Sequence, residues 1–264
     1  MRIPLFLLAG GLALATACTD VDLDDTASTA SDVQSLAGQY SRTLIVDDFL
    51  YGVDDTDIIT YDITDRAEPV LVDRTGVGLA VETIYHHEGD LFIGSRSGMY
   101  IYSISRNGTP VRRGDYQYSD LPGLEVEPCD PVVAEGNTAY ASLYTSDIAS
   151  DPCGRTQEFQ TIVVLDIENR DAPTLVQTHD TPSPRGMAID GDLLFVCNNH
   201  NGLTVFDVSD RANFVALDHV DGLNAWDAIA NDGRLVVVGA TAVKQYDYSD
   251  SSDLVLLSST DYEN

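Results

Sequence analysis

Basic residues are scarce in this sequence. Lysine occurs once, at Lys244, and lysine and arginine together number 14 against 43 aspartates and glutamates, a formal net charge of −29 over 264 residues. So acidic a chain repels phosphate backbones and anionic headgroups, which argues against nucleic acid as a partner and against membrane contact through the domain surface. An Asp-rich, Lys-poor surface suits saline media or a cation-rich cell surface, and it equally serves solubility. The usual signatures of catalytic chemistry are missing too. His86-His87-Glu88 is not followed by a histidine at zinc-ligand spacing, and His200 sits alone in an Asn-rich loop. Gly94-Ser95-Arg96-Ser97-Gly98 is not G-x-S-x-G and joins two strand-like segments. Gly76-Val77-Gly78 leads into no helix, so it is not a nucleotide loop. The sequence thus offers no phosphate cradle, no nucleophile elbow and no zinc set, and we assign no catalytic residue and no metal ligand with a recognised motif.

What is present is a repeat. Gly202-Leu203-Thr204-Val205-Phe206-Asp207-Val208-Ser209-Asp210 returns as Ile58 to Asp65, as Met99 to Arg106, as Ile162 to Asn169 and as Val243 to Asp250. Each copy lies in a unit that reads strand, tight turn, strand, loop, strand, turn, strand. In the fourth unit these are Gly186–Ile189, Leu193–Cys197, Leu203–Val208 and Phe214–Leu217. Aligning the first turns on Asp48, Asp90, Thr138, Asp192 and Arg234 gives steps of 42, 48, 54 and 42 residues. A period in the forties with four short strands predicts propeller blades. The hydrophobic fraction of 44% supports a packed core, and the near-continuous apolar strands predict sheets covered on both faces. At the second turns, Asp62, Asp166, Asp207 and Asp247 are placed to accept backbone N–H groups and stop the ladder. Pro69, Pro110 and Pro173 then restart the chain as an extended fourth strand.

Asp62-Ile63-Thr64-Asp65-Arg66-Ala67-Glu68-Pro69-Val70-Leu71-Val72 and Leu203 to Asp210 are similar to the repeat of the LVIVD family of bacterial and archaeal surface proteins. Ser103 replaces the aspartate in the second unit, and the fifth lacks the proline. The resemblance spans residues 41–264 and implies a β-propeller without an established general activity. The fold class expected is therefore all-β: a five-bladed β-propeller of four-stranded antiparallel blades.

Met1-Arg2 and the apolar run Ile3 to Ala17 read as an export signal too short to span a bilayer. Leu14-Ala15-Thr16-Ala17-Cys18 resembles a bacterial lipobox, which implies lipidation of Cys18; Ala15-Thr16-Ala17 also fits ordinary signal cleavage and plain secretion. Acylation would anchor the protein to the bacterial cell envelope, at the outer membrane or cell surface, with the lipid as its sole membrane contact. The expected organisation is a lipoprotein signal peptide at 1–17, a disordered acidic tether at 18–40, rich in Asp, Ser, Thr and Ala, and the propeller at 41–264.

In a propeller, the loop after strand two and the lead into the next strand one share a face. Cys129 leads into the third unit and Cys153 lies in its long loop, Ser142 to Phe159, so a Cys129–Cys153 disulfide is expected in an exported protein; Cys197 reads as a buried thiol. The same face gathers the starts of the first strands: Arg42, Glu82 or Thr83, Asp130, Arg185 and Asp227, with Trp226 alongside. Such a ring could bind a sugar or peptide, or simply close the channel with its own ion pairs. Asp54, Asp55 and Asp57 could hold Ca²⁺, although the spacing is not an EF-hand and a solvated acidic loop fits as well; no other cofactor is expected. The function expected is binding or scaffolding of an extracellular or envelope protein or glycan. The alternative is an exported carbohydrate-active enzyme with paired carboxylates such as Asp130 and Asp227 at the channel mouth.

Overall fold

The computed structural model describes residues 42–122, 129, 131–145 and 159–262. They form five four-stranded antiparallel sheets, each running in chain order from an inner to an outer strand. Blade 1 holds β1 (Thr43–Val46), β2 (Phe49–Val53), β3 (Asp57–Asp62) and β4 (Val70–Gly76). Blade 2 holds β5 (Val81–His87), β6 (Asp90–Ser95), β7 (Gly98–Ile104) and β8 (Pro110–Gln117). Blade 3 holds β9 (Val132–Glu135), β10 (Thr138–Tyr144), β11 (Gln160–Asp166) and β12 (Thr174–Asp180). Blade 4 holds β13 (Met187–Asp190), β14 (Leu193–Cys197), β15 (Leu203–Asp207) and β16 (Val215–Val220). Blade 5 holds β17 (Ala225–Asn231), β18 (Arg234–Gly239), β19 (Ala242–Asp247) and β20 (Val255–Asp261). This is the five-bladed propeller architecture that the repeat predicts.

Local chemistry sets the turns. Between first and second strands the chain needs positive φ, and Asp47, Glu88, Gly89, Gly136, Gly191, Asp232 and Gly233 supply it. After the third strand, Oδ1 of Asp62, Asp166, Asp207 and Asp247 accepts the N–H two residues on, at 2.8 to 2.9 Å. Hydrogen bonding holds all four carboxyls below the ordinary carboxylate range: the backbone N–H first at Asp62 and Asp166, and the hydroxyls of Ser209 and Ser249 first, then the backbone N–H, at Asp207 and Asp247. Pro110 opens β8, and Pro69 and Pro173 stand one residue before β4 and β12.

The repeat carries one device that apolar patterning conceals. In all five blades the pairing of the third with the fourth strand slips two residues before the turn: at Thr60/Tyr61, Ile101/Tyr102, Val164/Leu165, Val205/Phe206 and Gln245/Tyr246. The extra residue of each bulge sharpens the twist of the outer strand. In blade 2 it is Arg113, which is thereby aimed at Asp90 and Asp171.

Apolar clusters fill each space between consecutive blades. Tyr51 and Ile58 meet Ile84 and Leu91; Phe92 and Ile101 meet Ala139 and Val163; Ile162 and Val164 meet Leu194 and Phe206; Phe195 and Val205 meet Ala228 and Val237. Between blades 2 and 3 and between blades 4 and 5, large residues share the cluster with alanines of the following blade, Ala134, Ala139 and Ala141 in one and Ala225, Ala228 and Ala230 in the other, a size matching that close packing requires. All of β6 and all of β10 are buried. Blades 1 and 5 depart from the continuous burial expected of every blade. Burial alternates along β1, β17 and β18, so one face of each of these two blades lacks a covering blade among the described residues. Inner strands meet in the succession β1, β5, β9, β13, β17, with no comparable contact between β17 and β1.

Candidate functional site

The leads into the inner strands form one line of contacts across the loop-bearing end. In blade 1, Arg42 donates from Nη2 to the Val81 carbonyl of blade 2 at 2.9 Å and pairs with Asp55 at 3.1 Å. The Glu82 carboxylate accepts from Arg96 Nε at 2.9 Å, and its Oε1 lies 3.5 Å from Cys129 Sγ of blade 3. Cys129 bridges Tyr144 through the backbone, and both are buried. The Arg185 guanidinium of blade 4 lies 4.0 Å over the Tyr144 ring. Gly186 N–H then donates to the Trp226 carbonyl of blade 5 at 2.8 Å.

Backbone irregularity presents two of these side chains. The pairing of β5 with β6 slips between Val81 and Thr83, leaving Glu82 as the extra residue. The pairing of β17 with β18 slips between Ala225 and Asp227, leaving Trp226 as the extra residue. Bulges beside a mouth re-aim a side chain out of the ladder; Trp226 is 44% exposed, whereas Thr83 is buried. Asp227 is half-buried and accepts the Ala228 N–H at 2.9 Å.

The structure therefore brings Arg42, Glu82, Arg185, Trp226 and Asp227 to one end, with Arg42, Glu82, Arg185 and Trp226 each in contact with a neighbouring blade. Asp130, Cys153 and Cys18 lie outside the described residues, as do the signal peptide and tether. Cys197 is a buried free thiol, pushed up by desolvation. Sequence reasoning missed Tyr144, the platform for Arg185, because its place at the end of an apolar strand looks like core. It also missed a polar chain at the loop end of blade 4. There Asn198 Nδ2 donates to Thr204 Oγ1 at 2.7 Å, Thr204 Oγ1 is 2.9 Å from His219 Nδ1, and His219 Nε2 is 3.2 Å from Asp221. The Asn-rich loop signalled it; His200 drew attention instead.

The Asp54–Asp57 loop is folded around its own acids. Asp54 Oδ1 accepts the N–H groups of Thr56 and Asp57, which hold its carboxyl below the ordinary range. Asp54 also meets Arg74, Asp55 meets Arg42, and Asp57 accepts from the Thr56 hydroxyl. Among the described residues, no group of three or more His, Cys, Asp or Glu is disposed to hold a metal ion.

Fold and repeat together define a β-propeller repeat protein. The family model described as LVIVD repeat matches residues 184–221, which is blade 4 with its flanks. None of the curated proteins matches the sequence. Among solved structures, a functionally unknown protein from Desulfotomaculum acetoxidans is similar at 12% identity and TM-score 0.64, over 84% of this chain and 69% of that one. The periplasmic gluconolactonase PpgL of Pseudomonas aeruginosa is similar at 13% identity and TM-score 0.58, over 81% and 67%. AztD of Citrobacter koseri is similar at 14% and 0.55, over 82% and 60%. At such identities the likeness is one of fold, and each neighbour extends well beyond the matched part.

Proposed function

We propose that this chain is an exported lipoprotein whose propeller binds a protein or glycan outside the cell through its loop-bearing end. The observation that carries the reading is the exposed, bulge-presented indole of Trp226, flanked by Asp227 and joined through Gly186 to Arg185 on Tyr144. An accessible indole with a guanidinium and a carboxylate nearby suits the apolar face and hydroxyl edge of a sugar, or a peptide side chain. Among the described residues the carboxylates there are engaged by arginines and backbone N–H groups: Glu82 by Arg96, Asp55 by Arg42, Asp227 by Ala228. That supports binding over hydrolysis, which needs two open carboxyls about 5 to 10 Å apart. Anchoring through Cys18 and a Cys129–Cys153 bridge that pins the loop of blade 3 belong to the same proposal.

A screen of glycans and surface proteins against the full chain tests it. Any ligand of the loop end loses about tenfold or more in affinity with Trp226→Ala and with Arg185→Ala; a hit indifferent to both would reject this end as the site. Incorporation of labelled fatty acid that Cys18→Ala abolishes tests the anchor, and a thiol count that rises by two on reduction tests the bridge.

A further inference from the structure

The open faces of blades 1 and 5 are the two halves of a contact this chain already makes four times. On blade 1 the open face carries Ile45, Leu50, Ile59, Tyr61 and Leu71, all at least partly exposed. On blade 5 it carries Ile229, Val236, Val238 and Val243. In a chain of net charge −29 the middle of each patch is apolar and the acids of the same faces stand at their ends, Asp57 on blade 1 and Asp227 and Asp247 on blade 5; an uncharged centre is what marks an interface.

Charge at the rim repeats the same logic. The turn after the third strand carries an arginine four residues past its aspartate in three blades: Arg66, Arg170 and Arg211. Two of them reach back to the preceding blade. Arg211 of blade 4 pairs with Asp166 at 2.6 Å and contacts the Asn137 carbonyl in the first turn of blade 3. Arg170 of blade 3 pairs with Glu88 at 2.9 Å in the first turn of blade 2, and with Asp90. Arg66 is the third, and it stands exposed on the side of blade 1 where no preceding blade lies among the described residues. On blade 5 the counterparts of Asp166 and of Glu88 are Asp247, which the register puts on the open face, and Asp232 in the first turn.

We propose that the open face of blade 5 in one copy seats on the open face of blade 1 in a second copy, with Arg66 reaching Asp247 and Asp232 as Arg211 reaches Asp166. The contact is head to tail, so each junction leaves one open face of each kind at the ends, and growth continues unless the rotation closes. The loop-bearing end stays free in such an array, so this inference is independent of the ligand proposed above. Mutual repulsion of two highly acidic copies opposes association, and salt screens it.

The test uses the full-length chain with Cys18→Ser, so that no lipid contributes, and reads mass by light scattering on a sizing column. The parent forms multimers whose share rises with protein concentration and with salt from 0.15 to 1 M. Ile45→Asp blocks the blade 1 face and Val236→Asp the blade 5 face; both positions are at least partly open, so both variants keep the parent's circular dichroism. Each weakens association by roughly 30-fold or more when alone. Mixed one to one, they give a dimer and nothing larger, because a single intact pair of faces remains. Arg66→Glu, a surface change, weakens the parent's association by about tenfold. A monomeric parent under all conditions overturns the proposal, as does association that survives either face variant alone, or a mixture that stays monomeric.

Discussion

Arg170 gives the sharpest test of how the blades are held together. It is 8% exposed, and its guanidinium donates to the Ile167 carbonyl at 3.0 Å, pairs with Glu88 and Asp90 of blade 2, and lies 5.5 Å from the centre of the Phe92 ring. Removing one partner of a buried ion pair costs about 3 to 5 kcal/mol, because the other charge stays buried. Two features of this site reduce that figure. Glu88 is 59% exposed and regains water, so its share is small. Asp90, with only 8% of its side chain exposed, keeps Arg113 at 3.0 Å. What remains is the weakened satisfaction of Asp90, a carbonyl of Ile167 left short of a donor, and the stem's packing against Phe92. Together these predict about 2 to 3 kcal/mol for Arg170→Ala. Arg170→Met restores most of the packing and should recover about 1 kcal/mol of it. At 2 to 4 °C per kcal/mol for a domain of this size, Arg170→Ala lowers Tm by roughly 4 to 12 °C. Urea unfolding followed by circular dichroism gives the free energy directly, with the slope expected to stay unchanged. An Arg170→Ala protein within 0.5 kcal/mol of the parent would refute the reasoning, as would an Arg170→Met no better than Arg170→Ala.

Other consequences are equally open to measurement. A Cβ at Gly186 would lie 2.7 Å from the Trp226 carbonyl oxygen and 2.7 Å from Asp227 Cα, backbone that has little room to yield. Gly186→Ala should cost about 1 to 3 kcal/mol and speed hydrogen exchange at the Gly186 N–H, and an unchanged exchange rate would contradict the close approach. Burial, then the nearby His87, lowers the His86 pKa below 6.5, while Asp47 and Asp90 oppose the shift; burial likewise lowers His179. The unfolded chain therefore binds protons that the folded chain refuses. The stability these groups contribute is complete above about pH 6.5 and is lost as pH falls through their depressed folded values. Among the described residues neither ring nitrogen of His86 has a hydrogen-bond partner, so His86→Leu should flatten the stability profile between pH 7 and 5. A profile as steep as the parent's would show that His86 is not its source.

How far the sequence reaches can be judged turn by turn. The Asx turns at Asp62, Asp166, Asp207 and Asp247 were readable because a short carboxylate at a strand end has one dominant local use. The five blades were readable because local signals repeat at a fixed spacing. The bulges were not, since Glu82 and Trp226 as extra residues differ from paired ones only in cross-strand register, which depends on the partner strand. The same limit explains the site. Arg42, Glu82 and Arg185 could be assigned to one end, but the partners Val81 and Tyr144 are set by how neighbouring blades pack, and Arg96 meets Glu82 through the bulge of β5 within blade 2.

The open faces mark the deepest of these limits, and their origin is physical. An apolar strand reads as buried on both sides, and in the two middle strands of blades 2, 3 and 4 it is. Yet Ile45, Ile59, Val236 and Val238 are as apolar as their counterparts and remain partly open. Composition records what a face was selected to meet, without recording whether the partner belongs to the same chain. Arg66 makes the same point with charge: its turn matches those of Arg170 and Arg211 at the aspartate and the arginine, while among the described residues the latter two find an acid on a neighbouring blade and Arg66 does not. A face and a cation that keep the features of an interface, with no partner for them among the described residues, are what the contact proposed between two copies would use.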